Sequence, residues 1–190
     1  MSKLLLYCTK AKPYLYRQDD DTFKLENKIV DEDISDYKKY YGLNNGKIVS
    51  ECDYEVEELT NCGTSFMIMK YDDLRESYRY TNKIARCSCL DYTDLKRYLG
   101  ENNGYAIHIK NLTIFDKPKE LNEYCRYNRP VFDKNDVVEK APQNMCRVLT
   151  KNGYEYILIS IQPQWMCLIL NRIKDVEVRK KVLKEMLKNE

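Results

Sequence analysis

The sequence predicts an α+β fold in which strands of mixed direction form a small barrel flanked by short helices. Stretches of alternating apolar and polar residues, typical of strands, outnumber the helical patterns. Asn-Gly pairs at 45–46, 103–104 and 152–153 mark turns between predicted elements. At 190 residues the chain is long enough to bury one substantial core, so a single domain over 1–190 is expected.

The first part of the chain reads as a strand, a basic loop and an insertion. A short apolar strand is predicted at 3–9, and the basic, aromatic run Lys10–Arg17 follows it. The acidic stretch 18–39 is expected to be a solvated insertion. A long strand comes next at 47–59, where alternation places Glu51 among carboxylates on the face opposite the apolar side chains. Glu51 is therefore a candidate site residue.

The middle of the chain carries one clear helix. Asp91 fits its N-cap and Gly100 fits its end. Before this helix, the pattern from 60 to 89 is irregular, and only a short element near 66–69 is predicted. After the helix, alternation predicts a strand at 105–115.

The last part of the chain reads as a hairpin, a helix and a charged tail. Asn152-Gly153 favours a hairpin turn between strands at 145–150 and 154–161. A helix is predicted over 163–170, because a proline at its first position loses no hydrogen bond. The tail at 178–190 has the apolar spacing of a basic amphipathic helix.

Three charged side chains stand directly after the predicted helix 163–170. Lys174 lies in the turn, and Glu177 and Arg179 lie in the strand that follows. Period-two alternation sends Glu177 and Arg179 to one face of this strand and its two valines to the other. Opposite charges therefore flank a core strand, which makes these three residues candidates for a site.

Charge and composition exclude several classes of protein. The 32 basic and 30 acidic side chains leave a formal charge of +2, so any attraction to nucleic acid requires a local patch. The eight cysteines lack the paired spacing of a zinc site, and the single histidine, His108, lies in a strand-like segment. We therefore expect no metal, no cofactor and no histidine-dependent triad. No apolar run is long enough to span a bilayer, and a cytoplasmic protein with reduced thiols is expected.

Family resemblance adds to this interpretation. The run 159–180 resembles the strand, helix and signature of the ASCH domain, a member of the PUA-like superfamily, whose signature is Gly-x-Lys-x-x-Glu-x-Arg. Lys174, Glu177 and Arg179 match, and Arg172 replaces the glycine. Further segments are similar to ASCH-type proteins of phages and prophages, namely 46–59, 88–121 and 141–148.

The order of these segments departs from the family pattern. The signature normally opens the domain, whereas here it comes last. The resemblance therefore implies a PUA-like barrel body at 1–150 onto which the carboxy-terminal unit 154–190 folds back. Exchange of that unit between two chains, giving a homodimer, is a related alternative.

The resemblance implies that a cleft binds RNA or a modified nucleotide in the cytoplasm of a bacterial host. In this hypothesis lysines and arginines contact phosphates, an aromatic ring stacks on a base, and a carboxylate accepts hydrogen bonds from a base edge. The predicted binding residues are Lys10, Lys12, Tyr14, Arg17, Lys174, Glu177 and Arg179.

Two other functions stay open at this point. Some superfamily relatives resemble ribonucleases, and others resemble small amidohydrolases that act on acylated cytidines. In an enzyme of either kind, Lys174 would be a base, and Glu51 or Glu177 would orient a water. Alternatively, a phage protein of this size could bind a host defence or regulatory protein, with the apolar stripe of the tail helix as the docking face.

Overall fold

The structure is a computed structural model of the chain. It describes residues 3–10, 46–60, 83–90, 93–128 and 131–187 with their side chains. It describes residues 15–17, 23–25, 28–30, 61, 66–68, 92 and 188 by their backbone.

Strands dominate the described residues, as predicted. The strands are β1 (Lys3–Cys8), β2 (Leu15–Arg17), β3 (Phe23–Leu25), β4 (Lys28–Val30), β5 (Lys47–Asn61), β6 (Phe66–Ile68), β7 (Gly104–Lys119), β8 (Tyr124–Arg126), β9 (Met145–Thr150), β10 (Glu155–Ile161) and β11 (Val176–Arg179). The helices are α1 (83–87), α2 (Tyr92–Leu99) and α3 (Pro163–Leu170), with short 3-10 turns at Leu121–Glu123, Lys134–Asp136 and Lys184–Lys188.

The strands form one large mixed sheet and one small sheet. In the large sheet the strand order is β11-β7-β5-β1-β10-β9-β8, and β6 pairs with β5. The small sheet has the order β2-β3-β4, so the stretch predicted as a solvated insertion contributes β3 and β4. The predicted α+β class, with many strands and few short helices, is confirmed.

The predicted closure of the sheet into a barrel is wrong for the described strands. A barrel requires the first and last strands of the order to pair with each other. Here β8 pairs with β9 on one side, and an isolated bridge from Cys125 to Val137 occupies its other side. β11 is only four residues long and pairs with β7. The sheet therefore stays open.

The chain divides into two compact units. Unit 1 comprises Met1–Asp53 and Asn111–Arg172, and unit 2 comprises Tyr54–Lys110 and Ile173–Glu190. The long strands β5 and β7 each contribute residues to both units.

Unit 1 is built around β1. This strand pairs with β10 in parallel and with β5 in antiparallel direction, so it lies inside the sheet. Its residues Leu4 to Cys8 are all buried, which suits a continuous apolar run in a strand covered on both faces. α3 packs against β1 and begins at Pro163, as predicted. The predicted hairpin between β9 and β10 is confirmed, and Gly153 in its turn has a φ of 80°.

Unit 2 has a smaller core. Side chains from β5, α1, α2, β7 and β11 form a buried cluster that includes Leu59, Ile84, Leu95, Leu99 and Val176. α2 ends before Gly100, whose φ of 65° is the left-handed conformation typical of a residue that follows a helix. The predicted N-cap at 91 lies outside the described residues.

The predicted amphipathic tail helix is wrong. In the described part of the tail, 178–188, there is a short 3-10 turn, Lys184–Lys188, and no α-helix. Met186 is buried, but Leu187 is 44% exposed. Short helices depend on tertiary packing for most of their stability, and one buried side chain provides little of it.

Candidate functional site

Lys174, Glu177 and Arg179 form one ionic cluster in unit 2. β11 pairs with β7 in antiparallel register and carries Glu177 and Arg179, and Lys174 lies in the turn before it. Lys174 Nζ lies 3.2 Å from Glu177 Oε2, and Arg179 Nε lies 2.9 Å from Glu177 Oε1. One carboxylate therefore bridges two cations.

The ionic cluster is largely buried, and both of its cations contact the one carboxylate. The Lys174 side chain is 4% exposed and that of Glu177 is 9% exposed. Lys174 Nζ also donates a hydrogen bond of 2.7 Å to the backbone oxygen of Ser88. A buried charge is tolerated when it is paired and hydrogen-bonded in this way. The cluster thus holds the β11 turn in place, and its side chains are already paired within the protein.

Arg172, at the signature's glycine position, adopts a backbone conformation that favours glycine. Its φ is 59°, and its N–H donates to the oxygen of Ile169 at the end of α3. Left-handed residues at this position close many helices, and they are usually glycine. The turn that the signature glycine would make is therefore made by an exposed arginine.

Glu51 is held in a row of paired carboxylates on β5. Its carboxylate lies 3.1 Å from Lys3 Nζ and accepts a hydrogen bond from it. Burial, with Glu51 nearby, raises the pKa of Tyr156, so its hydroxyl stays a donor. The other pairs of the row are Asp53 with Asn111, Glu55 with Lys110 and Glu57 with His108.

The structure places the other predicted binding residues as follows. Lys10 lies two residues after the end of β1 and lines an open cleft in unit 1. Arg17 ends β2, where only the backbone is described. Lys12 and Tyr14 lie outside the described residues. Lys10 and Glu51 thus belong to unit 1, whereas the three residues of the ionic cluster belong to unit 2.

The cleft of unit 1 has a volume of about 630 Å³. This volume falls within the range of roughly 300–1,000 Å³ that is usual for ligand pockets. Tyr7 and Ser160 lie at its base, because they are direct partners in the parallel pairing of β1 and β10 and so project from the same face. The segment after Val138 and the 3-10 turn at Leu121–Glu123 contribute the apolar part of its lining.

Two lining cations of the cleft have no ion-pair partner in the described part of the chain. These are Lys10 and Lys140, both of which are exposed. Of the two lining carboxylates, Glu120 pairs with Lys47, whereas Glu139 is exposed. The cleft therefore has two cations available to a ligand and one uncompensated carboxylate.

Gly46 helps to place the Lys10 side chain. A Cβ on Gly46 would lie 2.7 Å from Lys10 Cε, so the lysine stem runs across the glycine. Gly46 also has a φ of 84°, and its N–H donates to the oxygen of Cys8. Glycine adopts this backbone conformation without strain. Gly46 therefore both forms the turn and leaves room for the Lys10 side chain at the cleft.

The base of the cleft offers hydroxyl groups. Ser160 Oγ donates a hydrogen bond of 2.6 Å to the oxygen of Pro142. Tyr7 is buried with its ring in the core, and burial raises the pKa of its hydroxyl, so the group stays neutral and can donate. Within the described residues, neither the Tyr7 hydroxyl nor the buried Thr9 Oγ1 has a hydrogen-bond partner.

Two other features are absent from the described residues. No group of three or more metal-ligating side chains lies close enough together there to hold a metal ion. No helix in the described part of the chain has the length and apolar character needed to cross a membrane.

The fold and the cleft together define an α+β protein with an open mixed sheet and a ligand-sized cleft that has charged and hydroxyl side chains in its lining. Comparison with protein-family models, curated proteins and solved structures finds no match for the chain.

Sequence reasoning identified Lys10 but missed Tyr7, Ser160 and Lys140. Tyr7 and Ser160 meet only because β1 pairs with a strand about 150 residues further along the chain. No local pattern indicates such a pairing. The glycine in the predicted turn at 45–46 and the proline-containing segment near Lys140 were local signals, but neither points to a ligand site by itself.

Proposed function

We propose that the protein binds a nucleotide, either free or as part of RNA, in the cleft of unit 1. The observation that carries this proposal is the combination of two unpaired lining cations with a base of hydroxyl groups in a cleft of about 630 Å³. Cationic side chains bind phosphate groups, and hydroxyl groups form hydrogen bonds with sugars and base edges.

The sequence next to the cleft supports the same chemistry. Lys10 begins the basic and aromatic run Lys10–Arg17, which combines cations with rings that can stack on bases. The resemblance to phage-type ASCH proteins of the PUA-like superfamily also supports nucleotide binding. As part of this proposal, we place the protein in the cytoplasm of a bacterial host.

The proposal is one of binding and does not include turnover. A hydrolase of the kind considered above would use Lys174 as a base and Glu51 to orient a water. Lys174 donates to Glu177 and Ser88, and Glu51 accepts from Lys3, so both groups already have partners within the protein. The geometry therefore favours binding over hydrolysis.

Binding can be measured by fluorescence anisotropy with labelled nucleoside monophosphates and labelled single-stranded RNA. We expect saturable binding of at least one of these probes. Lys10→Ala and Lys140→Ala should each weaken it about fivefold, since each removes roughly 1 kcal/mol of phosphate contact.

Lys151→Ala is the matched control. Lys151 is an exposed lysine of the same unit in the turn between β9 and β10, and it does not line the cleft. Its substitution should leave the affinity unchanged. Absence of binding for every probe, or equal losses in all three variants, would contradict the proposal.

A further inference from the structure

We infer that the ligand of the cleft is a single nucleotide, and that the Tyr7 hydroxyl is a specificity-determining group for it. This inference rests on the proposed function and goes beyond it by naming the class of ligand and the residue that distinguishes it.

Charge is the first reason to expect a single nucleotide. Proteins that follow a nucleic-acid strand use a basic groove with a cation for each of several phosphates. The cleft has only Lys10 and Lys140 as cations without an ion-pair partner in the described residues, and Glu139 opposes them. This charge is enough for one phosphate group and too small to hold several phosphates in a row.

The shape of the cleft is the second reason. It is bounded by the ends of β1 and β10, by the turn at Gly46 and by the segment 138–143. A volume of about 630 Å³ suits one small ligand.

The Tyr7 hydroxyl has the geometry of a selective contact. Tyr7 is 5% exposed, and its ring is fixed by packing against Leu5, Ile48 and Val138. Its hydroxyl has no hydrogen-bond partner in the described part of the chain, and Tyr7 lines the cleft. A site with such a placed donor rejects a ligand that leaves it unpaired. Tyr7 therefore favours a ligand with an acceptor, such as a base carbonyl, at the bottom of the cleft.

The test compares nucleoside monophosphates with a single-stranded RNA of about ten nucleotides, both titrated by anisotropy competition at several salt concentrations. We expect the best monophosphate to bind within about threefold of the RNA. Its log affinity should fall with log salt with a slope no steeper than about −1.5, because two lysines release few counterions.

Tyr7→Phe should weaken binding of the best monophosphate about fivefold to tenfold, since it removes one hydrogen bond without changing the ring. Tyr124→Phe is the matched control, because Tyr124 lies in the same buried cluster and does not line the cleft. Its affinity should equal that of the unmodified protein.

The outcomes separate this inference from the proposed function. RNA that binds at least a hundredfold tighter than every monophosphate, with a steep salt slope, would overturn the single-nucleotide inference and leave nucleotide binding in place. Equal affinities of Tyr7→Phe and Tyr124→Phe would overturn the role of Tyr7. Failure of every probe to bind would overturn both proposals.

Discussion

The cleft of unit 1 and the ionic cluster of unit 2 both contain cations and carboxylates, but the cations are exposed in the cleft and buried and paired in the ionic cluster. In the ionic cluster, Glu177 bridges Lys174 and Arg179, and the three side chains are largely buried. In the cleft, Lys10 and Lys140 are exposed and have no ion-pair partner in the described residues. The difference shows that residue type alone does not identify a site, because a buried charge that is already paired inside the protein is less available to a ligand.

Removing the shared carboxylate of the ionic cluster should have the largest effect. Glu177→Ala leaves buried Lys174 without its carboxylate, and we expect a loss of about 3–5 kcal/mol in the free energy of unfolding. Chemical denaturation followed by circular dichroism measures this loss.

Glu139→Ala is the control for this substitution. Glu139 is an exposed carboxylate of the cleft, and its removal should change stability by less than about 0.5 kcal/mol. Similar small losses in both variants would show that the ionic cluster does not stabilise unit 2.

Alkaline pH should lower the stability of the protein, because the buried Cys52 thiol ionises less readily in the folded state than in the unfolded state. Cys52 is fully buried, and desolvation raises its pKa from 9.0 to about 12. Because the folded-state pKa is the higher one, the stabilising contribution is complete below pH 9 and is lost as the pH rises towards 12. Between about pH 9 and about pH 11, the protein should lose about 2 kcal/mol more stability than Cys52→Ala does.

Parallel denaturation curves of the protein and Cys52→Ala over this pH range measure the difference. If both lose stability equally, the Cys52 thiol ionises as readily in the folded state as in the unfolded state.

Gly46→Ala should disturb the cleft specifically. The new Cβ would strain a residue with a φ of 84° and would displace the Lys10 stem. We expect a loss of about 1 kcal/mol in stability together with weaker nucleotide binding. Gly153→Ala is the matched control, because Gly153 has a φ of 80° but no atom within 4 Å of the added Cβ.

The control should lose similar stability and keep its affinity for the nucleotide. Unchanged affinity in Gly46→Ala would show that the placement of Lys10 does not matter for binding.

Arg172→Gly should have the smallest effect and the opposite sign. Glycine relieves the strain of a φ of 59°, so we expect a gain of about 0.5–1 kcal/mol in the free energy of unfolding. Asn171→Gly, one residue earlier, should destabilise, because Asn171 has a φ of −86° and its side chain donates to the Cys167 oxygen. A loss of stability in Arg172→Gly would show that the hydrogen bond from its guanidinium to the Leu112 oxygen outweighs the strain.

Local patterns predicted the elements well where the signal was local. The proline at the start of α3, the glycine after α2 and the Asn-Gly turn between β9 and β10 each fix backbone geometry within a few residues. The tail helix failed because its stability depends on which of its side chains become buried, and the sequence of the tail does not specify that.

Long-range pairing limited the prediction of the site. The partner of Glu51 is Lys3, 48 residues away, and Lys174 donates to the backbone of Ser88, 86 residues away. Periodicity correctly placed Glu51, Glu177 and Arg179 on strands but could not show that each was already paired. The cleft likewise depends on β1 and β10 meeting in parallel, so only Lys10 was predicted as part of it.

The most direct test compares nucleotide affinity in two variants with the same number of altered charges. Lys10→Met with Lys140→Met removes the two available cations of the cleft, and Lys174→Met with Arg179→Met removes those of the ionic cluster. Isothermal titration at a temperature where both variants remain folded should show affinity reduced more than about tenfold in the first and unchanged in the second. The reverse result, with binding lost only when the cations of the ionic cluster are removed, would contradict the account.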